Sequence, residues 1–210
     1  SEHDLDIITA SETSATQLAQ TQFSHAIRPT YRRILWSAPV PDHRPKTDGT
    51  ASKRGKAAGV ACMTNHRIRH AQGTLTPEWE ATSRILHVVI TLGKLDVQMI
   101  ILYALPTTQN GSTTFNSDLL AAAIQASTML PLPCIILGDY NGDPFGWQSG
   151  SQLKHQGYWD LRAIHQRLTG QPMPPTCRGV TTPDNALFSP SPASWVSKIQ
   201  VRSEERRVGK

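Results

Sequence analysis

The 210-residue sequence predicts an α/β sandwich built from mixed sheets. Two runs rich in β-branched residues, 85–91 and 97–104, are separated by a short polar segment, which is the pattern of a β-hairpin. A strong helical pattern over 114–129 is followed by the apolar run 134–137, so a strand–helix–strand unit is also expected. A hairpin joined to such a unit indicates sheets that contain both antiparallel and parallel strands.

The other elements follow from periodicity and turn residues. Residues 5–10 (LDIITA) are typical of a short strand, and a moderate helix over 11–28 follows them. The remaining predictions, in chain order, are a strand at 31–36, an exposed connection at 37–56, a buried strand of small residues at 57–63, a helix at 159–168, and weak strands at 186–189 and 195–201. The helix over 114–129 is the clearest, because its apolar positions fall on one face and Pro131 and Pro133 end it.

Composition excludes several classes of protein. Hydrophobic residues make up 38% of the chain, which is enough for a packed core. The longest apolar runs fall well short of the roughly 20 residues that a membrane helix needs, so no membrane association is expected. The three cysteines form no C-x-x-C pair, which argues against a disulfide framework and suits a reducing, intracellular compartment.

Charge is distributed unevenly along the chain. Residues 28–69 contain ten Lys and Arg against two acids. Such a block suggests a polyanionic partner such as nucleic acid, although a solvated loop is an equally good interpretation. If the partner is DNA, Arg28, Arg54, Arg67 and Arg69 are expected to flank the site.

The last nine residues, 202–210 (RSEERRVGK), resemble the translation of a sequencing adapter. We therefore expect one domain over residues 1–201 and a tail over 202–210 that is not native.

A polar cluster at the end of the apolar run 134–137 is the sharpest chemical signal. Asp139 and Asn141 lie two residues apart there, and on an extended backbone their side chains would point the same way. A carboxylate that accepts a proton beside an amide that donates a hydrogen bond suits activation of water next to a phosphate. The alternative is a tight turn, because Asn141-Gly142 is a favoured hairpin dipeptide.

Three further residues lie at predicted strand ends. Glu12 follows the first strand and could bind a hard cation, or it could simply begin the next helix. Tyr103 ends the second hairpin strand and could contact a phosphate, or it could be packed core. Asp184 precedes a short apolar run, where an Asp-Asn turn is the alternative.

Six segments, in order, resemble motifs of the endonuclease/exonuclease/phosphatase superfamily, which has the deoxyribonuclease-like fold. They are 6–13 (DIITASET), 54–61 (RGKAAGVA), 102–106 (LYALP), 138–141 (GDYN), 157–160 (GYWD) and 183–189 (PDNALFS). The resemblance spans most of residues 4–201. It implies a four-layered α/β sandwich of two mixed sheets.

The resemblance also implies a function, hydrolysis of phosphodiester bonds with Mg²⁺ or Mn²⁺. Glu12 would bind the metal, Asp139 would orient or deprotonate water, Asn141 and Tyr103 would position the phosphate, and Asp184 would support the site. A DNA endonuclease like those of LINE-type retrotransposons, acting in the nucleus, is the favoured member. A phosphatase or lipid phosphodiesterase of the same fold, and a decayed copy that only binds nucleic acid, are the alternatives. No protein partner can be inferred.

Two family features are missing from this sequence. An Asn-bearing first strand does not precede 5–10, and no Ser-Asp-His motif occurs. The expectation is therefore a fold incomplete at both ends, with weak Mg²⁺ affinity and little or no activity in this chain.

Overall fold

The computed structural model describes residues 6–28, 33–40, 58–175 and 184–197. Within them, the strands are β1 (Ile7–Ser11), β2 (Arg33–Trp36), β3 (Val60–Thr64), β4 (Arg69–Gln72), β5 (Ile85–Leu92), β6 (Leu95–Tyr103), β7 (Cys134–Asp139), β8 (Trp159–Asp160) and β9 (Asp184–Phe188). The helices are α1 (Gln17–Ile27), α2 (Pro77–Glu80), α3 (Ser112–Thr128), α4 (Gly150–His155), α5 (Leu161–Thr169) and α6 (Pro190–Ala193), with one 3₁₀ turn at Pro144–Gly146. None of these helices has the length and hydrophobicity needed to cross a membrane.

The strands form two sheets, as the sequence predicts. The small sheet has the order β1-β3-β2, and its pairs are antiparallel. The large sheet has the order β4-β5-β6-β7-β9-β8 and is mixed, because β6 and β7 are parallel while its other pairs are antiparallel. The predicted α/β sandwich is therefore confirmed.

Successive side chains of β6 point to opposite faces of the large sheet, so they belong to two separate layers of the core. Val97, Met99, Ile101 and Tyr103 pack with residues of the small sheet, so they fill the space between the sheets. The intervening residues, such as Ile100 and Leu102, pack instead against α3 on the outer face of the large sheet. On the outer face of the small sheet, α1 contacts β2 through the edge-to-face pair of Phe23 and Trp36. The order of layers is helix, sheet, sheet, helix.

The hairpin and α3 match the sequence prediction closely, and other elements differ. The hairpin turn contains only Gly93 and Lys94, which makes both strands longer than predicted. The helix predicted over 11–28 begins at Gln17, because Thr16 caps it by accepting a hydrogen bond from the Ala19 amide. The predicted helix over 159–168 starts two residues late, since Asp160 is its N-cap.

Short or polar elements were not predicted. β4, α2 and α4 have fewer than seven residues each, so their periodicity gives no signal. In the weak strand predicted over 195–201, residues 195–197 are not a strand, and residues 198–201 lie outside the described part of the chain.

Gly138 allows β6 and β7 to lie side by side at their ends. It has φ +144° within β7, and a Cβ atom there would overlap the Leu102 carbonyl oxygen. Only glycine combines that backbone conformation with the missing side chain. The end of β7 therefore depends on this residue.

We predict that Gly138→Ala destabilises the fold by more than ~3 kcal/mol, because the clash is with backbone and cannot be relieved by a rotamer change. Gly142→Ala is the matched control, since its Cβ would make only ordinary contacts of 3.7 Å with Thr107 and Trp147. Urea denaturation of the three proteins measures the difference. Equal midpoints for the two variants would contradict the prediction.

Candidate active site

Tyr103, Asp139 and Asp184 form one row across three neighbouring strands. Tyr103 pairs with Asp139 between the parallel strands β6 and β7, and Asp139 pairs with Asp184 between β7 and β9. Directly paired residues project from the same face of a sheet, and Tyr103 packs in the core between the sheets. This row, which we call the rim, therefore borders the space between the two sheets.

Glu12 approaches the rim from the small sheet. It directly follows β1 and has φ +57°, a left-handed conformation that is uncommon outside glycine. The loop is held by hydrogen bonds from the Thr13 amide to the Gly59 carbonyl (3.0 Å) and from the Ser14 amide to the Ala58 carbonyl (2.7 Å). Glu12 is thus not in the first turn of α1, and the helical alternative for this residue is wrong.

The pKa of Asp139 suits proton transfer near neutral pH. Burial is the main cause that raises its pKa, to about 6, and the charges of Asp184 and Glu12 raise it further. A hydrogen bond of 2.9 Å from the Asn141 backbone amide to Asp139 Oδ1 lowers this pKa. The two neighbouring carboxylates therefore act electrostatically on Asp139.

Tyr103 is both core and rim. Only 2% of it is exposed, and burial, the charges of Glu12 and Asp139, and a hydrogen bond to Glu12 raise its pKa to about 12, while Arg84 lowers it. The phenol is therefore protonated at neutral pH and can donate a hydrogen bond. The packed-core interpretation is therefore correct for Tyr103, and its functional role stays a prediction.

Asn141 differs from the sequence prediction in its backbone. Its φ of +49° is left-handed, so Asp139 and Asn141 are not consecutive outward positions on an extended strand. Instead the chain turns, and Asn141 Nδ2 donates a hydrogen bond of 3.1 Å to the Ala104 carbonyl. This bond fixes the amide beside the end of β6.

Asp184 and Asn185 begin β9 rather than forming an isolated turn. Asp184 is exposed, whereas Asn185 is buried, with its Oδ1 accepting from the Ala186 amide at 2.8 Å. Asp160 caps α5 by accepting a hydrogen bond from the Arg162 backbone amide at 2.7 Å, and its Oδ2 also accepts from Nε (3.0 Å) and Nη2 (2.5 Å) of the Arg162 side chain.

The residues at the rim fit a hard divalent cation with few protein ligands. Glu12, Asp139 and Asp184 supply carboxylate oxygens, the donors that Mg²⁺ and Mn²⁺ prefer. Among the described residues, no three His, Cys, Asp or Glu lie close enough together to hold a metal by themselves. A cation here would consequently depend on water and substrate phosphate for much of its coordination.

Arg84 lies beside the rim, and the sequence analysis did not identify it. Its Nη1 donates a hydrogen bond of 3.1 Å to the Tyr103 carbonyl, and its guanidinium carbon lies 5.0 Å from the centroid of the Tyr103 ring. A single Arg before an apolar strand does not form a recognisable sequence motif. Only its position, immediately before β5 and opposite Tyr103, could have indicated it.

The basic residues outside the rim lie elsewhere than predicted. Arg69 pairs with Thr91 near the hairpin turn, at the end of β5 away from Tyr103, and Arg67 precedes it. The first turn of α1 lies near the rim, because Gln20 donates a hydrogen bond to the Ser37 carbonyl at that end of the small sheet. Arg28 lies at the opposite end of the same helix. These three therefore do not flank the rim, and Arg54 lies outside the described residues.

We predict that Asp139→Asn stabilises the fold above pH 6 in the absence of metal. Because the folded-state pKa is raised from 3.8 to about 6, the unfolded chain ionises first, and wild-type stability falls as pH rises from about 4 to 6. Asparagine keeps the Oδ1 acceptor and carries no charge, so the gain should appear across that range and vanish below pH 4. Urea denaturation in EDTA between pH 3.5 and 8 measures it.

Asp118→Asn, on the exposed face of α3, is the control for loss of a surface charge. A pH-independent difference between Asp139→Asn and wild type would count against a raised pKa at Asp139.

Comparison with known proteins supports the fold. No family model matches the chain, and neither does any curated protein sequence. Solved structures match over most of its length. The 3′-5′ exonuclease NExo from Neisseria meningitidis has a TM-score of 0.59 at 15% identity over 92% of this chain and 80% of that one.

Two other matches agree. The human Nocturnin catalytic domain, solved with a bound sulfate, has a TM-score of 0.57 at 18% identity over 88% of this chain and 69% of that one. Truncated TDP2 from Caenorhabditis elegans has a TM-score of 0.54 at 11% identity over 88% of this chain and 70% of that one. These structures have the deoxyribonuclease-like endonuclease/exonuclease/phosphatase fold, so this chain has that fold too.

Proposed function

We propose that this chain is part of a metal-dependent phosphodiesterase that acts on nucleic acid. The observation that carries the proposal is the row of Tyr103, Asp139 and Asp184, with Glu12 facing it across the space between the sheets. This row combines a neutral donor, a carboxylate that titrates near neutrality and further oxygen ligands. Those are the groups that hydrolysis of a phosphate ester needs.

Each rim residue has a proposed role. Asp139 accepts the proton of the attacking water, for which a pKa of about 6 is suitable. The Tyr103 phenol, which hydrogen-bonds Glu12 in the structure, would donate instead to a phosphate oxygen of a bound substrate. The Asn141 side-chain amide holds the Ala104 carbonyl and also hydrogen-bonds Asp139, so it would exchange the Asp139 bond for one to a phosphate oxygen. Asp184 keeps the pKa of Asp139 high through its negative charge.

Glu12 would hold a Mg²⁺ or Mn²⁺ ion, with Asp139 or Asp184 near enough to contribute. Such an ion would neutralise charge on the phosphate and lower the pKa of a bound water. Its positive charge would also offset the repulsion among the three carboxylates.

Two solved structures support a nucleic-acid substrate by analogy. NExo is described as a 3′-5′ exonuclease, and also as a 3′ phosphatase bound to a product DNA hairpin. The narrower hypothesis, a nuclear endonuclease of the LINE-type retrotransposon class, rests on the sequence resemblance. The distant position of Arg67 and Arg69 weakens one of its arguments, and a small phosphate ester is the second candidate.

The proposal predicts Mg²⁺-dependent hydrolysis that depends on Asp139. The assay offers supercoiled plasmid, an oligonucleotide with a 3′-phosphate and bis(p-nitrophenyl) phosphate to this chain and to any longer protein that contains it. Asp139→Asn should lower the rate by about 10²- to 10⁴-fold, the usual value of a general base. The family's Ser-Asp-His motif does not occur in the 210 residues, so we expect this chain to be less active than a longer protein that supplies the motif, in which the fall is then measured.

Asp118→Asn serves again as control and should behave as wild type. Hydrolysis that survives Asp139→Asn would refute the proposed role. Cleavage of the 3′-phosphate alone, without plasmid nicking, would replace the nuclease by a phosphatase.

A metal-binding measurement tests the same site without catalysis. Mn²⁺ should broaden the amide resonances of Glu12, Asp139 and Asn141 in the NMR spectrum of the chain, with weak affinity because few protein ligands are available. Glu12→Gln should weaken this binding by at least about 10-fold. Glu78→Gln, at an exposed position in α2, is the control. Unchanged broadening in Glu12→Gln would show that Glu12 is not the ligand.

A further inference from the structure

Arg84 makes two hydrogen bonds with the backbone of Tyr103, one through its own backbone and one through its side chain. The Tyr103 amide donates to the Arg84 carbonyl at 2.9 Å, which extends the β5–β6 ladder by one residue. The Arg84 side chain then returns to the same partner, because its Nη1 donates to the Tyr103 carbonyl at 3.1 Å. One arginine therefore binds both polar groups of the Tyr103 backbone.

The guanidinium also lies against two aromatic rings. Its carbon is 5.0 Å from the Tyr103 ring centroid and 5.9 Å from that of Phe115, in the first turn of α3. Both distances are in the range of cation–π attraction. A planar guanidinium can stack and donate hydrogen bonds at once, which a lysine ammonium cannot do in the same geometry.

The segment that carries Arg84 is fixed to the small sheet. The Ser83 carbonyl accepts hydrogen bonds from the Gly59 amide (2.6 Å) and from Ser37 Oγ (3.3 Å). Gly59 in turn accepts a hydrogen bond from the Thr13 amide, next to Glu12. Arg84 is thus connected by short, bonded steps to the loop that places Glu12.

We propose that Arg84 is a positioning residue, whose guanidinium holds the Tyr103 ring so that its phenol stays between the carboxylates of Glu12 and Asp139. The effect on substrate is indirect, through the tyrosine. This inference rests on the proposed function, because it assigns Arg84 to the same reaction.

The charges at the rim support the assignment. Glu12 and Asp139 raise the pKa of Tyr103, and Arg84 lowers it. Besides its contacts with the ring, Arg84 therefore supplies a positive charge whose effect on the Tyr103 pKa opposes that of the two carboxylates.

The test compares Arg84→Met and Arg84→Lys with wild type by two readouts. The first is the NMR spectrum of ring-labelled tyrosine, in which Tyr103→Phe identifies one of the four tyrosines. Arg84→Met should shift the Tyr103 resonances and leave the other three in place, and Arg84→Lys should shift them less. The second is kcat, measured in the protein, this chain or a longer one that contains it, that hydrolyses substrate above background. It should fall about 10- to 100-fold in Arg84→Met with KM little changed, because a misplaced donor costs rate more than binding.

Arg167→Met is a matched control, since Arg167 also stacks on an aromatic ring, 5.6 Å from that of Trp159, but away from the rim. It should alter neither readout. Unmoved Tyr103 resonances in a folded Arg84→Met protein, or an equal change in Arg167→Met, would overturn the inference. If Arg84→Met fails to fold, the Arg84→Lys spectrum decides by the same criterion.

The two proposals can fail separately. Absence of hydrolysis both in this chain and in a longer wild-type protein that contains it would refute the proposed function, whereas the tyrosine spectrum would still show whether Arg84 holds the ring.

Discussion

The parallel pairing of β6 with β7 is the constraint on which the site depends. It brings the last residues of both strands, Tyr103 and Asp139, to the same level on the same face. A shift of one residue would turn every side chain of β7 to the opposite face and would place Asp139 against α3. Gly138 secures this register, because the Leu102 carbonyl occupies the space that a side chain would need.

Much of the fold could be predicted because its main elements are long and regular. The hairpin of β5 and β6 and the helix α3 have clear periodicity, and their apolar positions are buried as expected. The ends of elements were less predictable, since they depend on caps such as Thr16 and Asp160. Elements such as β4 and α4 are short and polar, and the pairing partners that stabilise them are distant in the sequence.

The candidate site was predictable in its residues and less so in its geometry. Strand-end positions indicated Glu12, Tyr103, Asp139 and Asp184, which the structure brings to one edge. The left-handed backbone of Asn141 could not be inferred from an extended pattern, and it redirects the amide toward Ala104. Arg84 was missed, because its importance comes from a cross-strand partner and not from its neighbours in sequence.

Strain and like charge are concentrated in the same few residues. Glu12 and Asn141 have left-handed backbones, and three carboxylates approach one another at a partly buried edge. Each of these features lowers the stability of the isolated fold, and their combination at one place is typical of functional sites, which agrees with the proposed function. Protonation of Asp139, whose pKa is about 6, relieves this repulsion, and a bound cation at the proposed site would relieve it as well. If a divalent ion and a phosphate bind at the rim as proposed, their arrival and the release of a proton from Asp139 would favour each other.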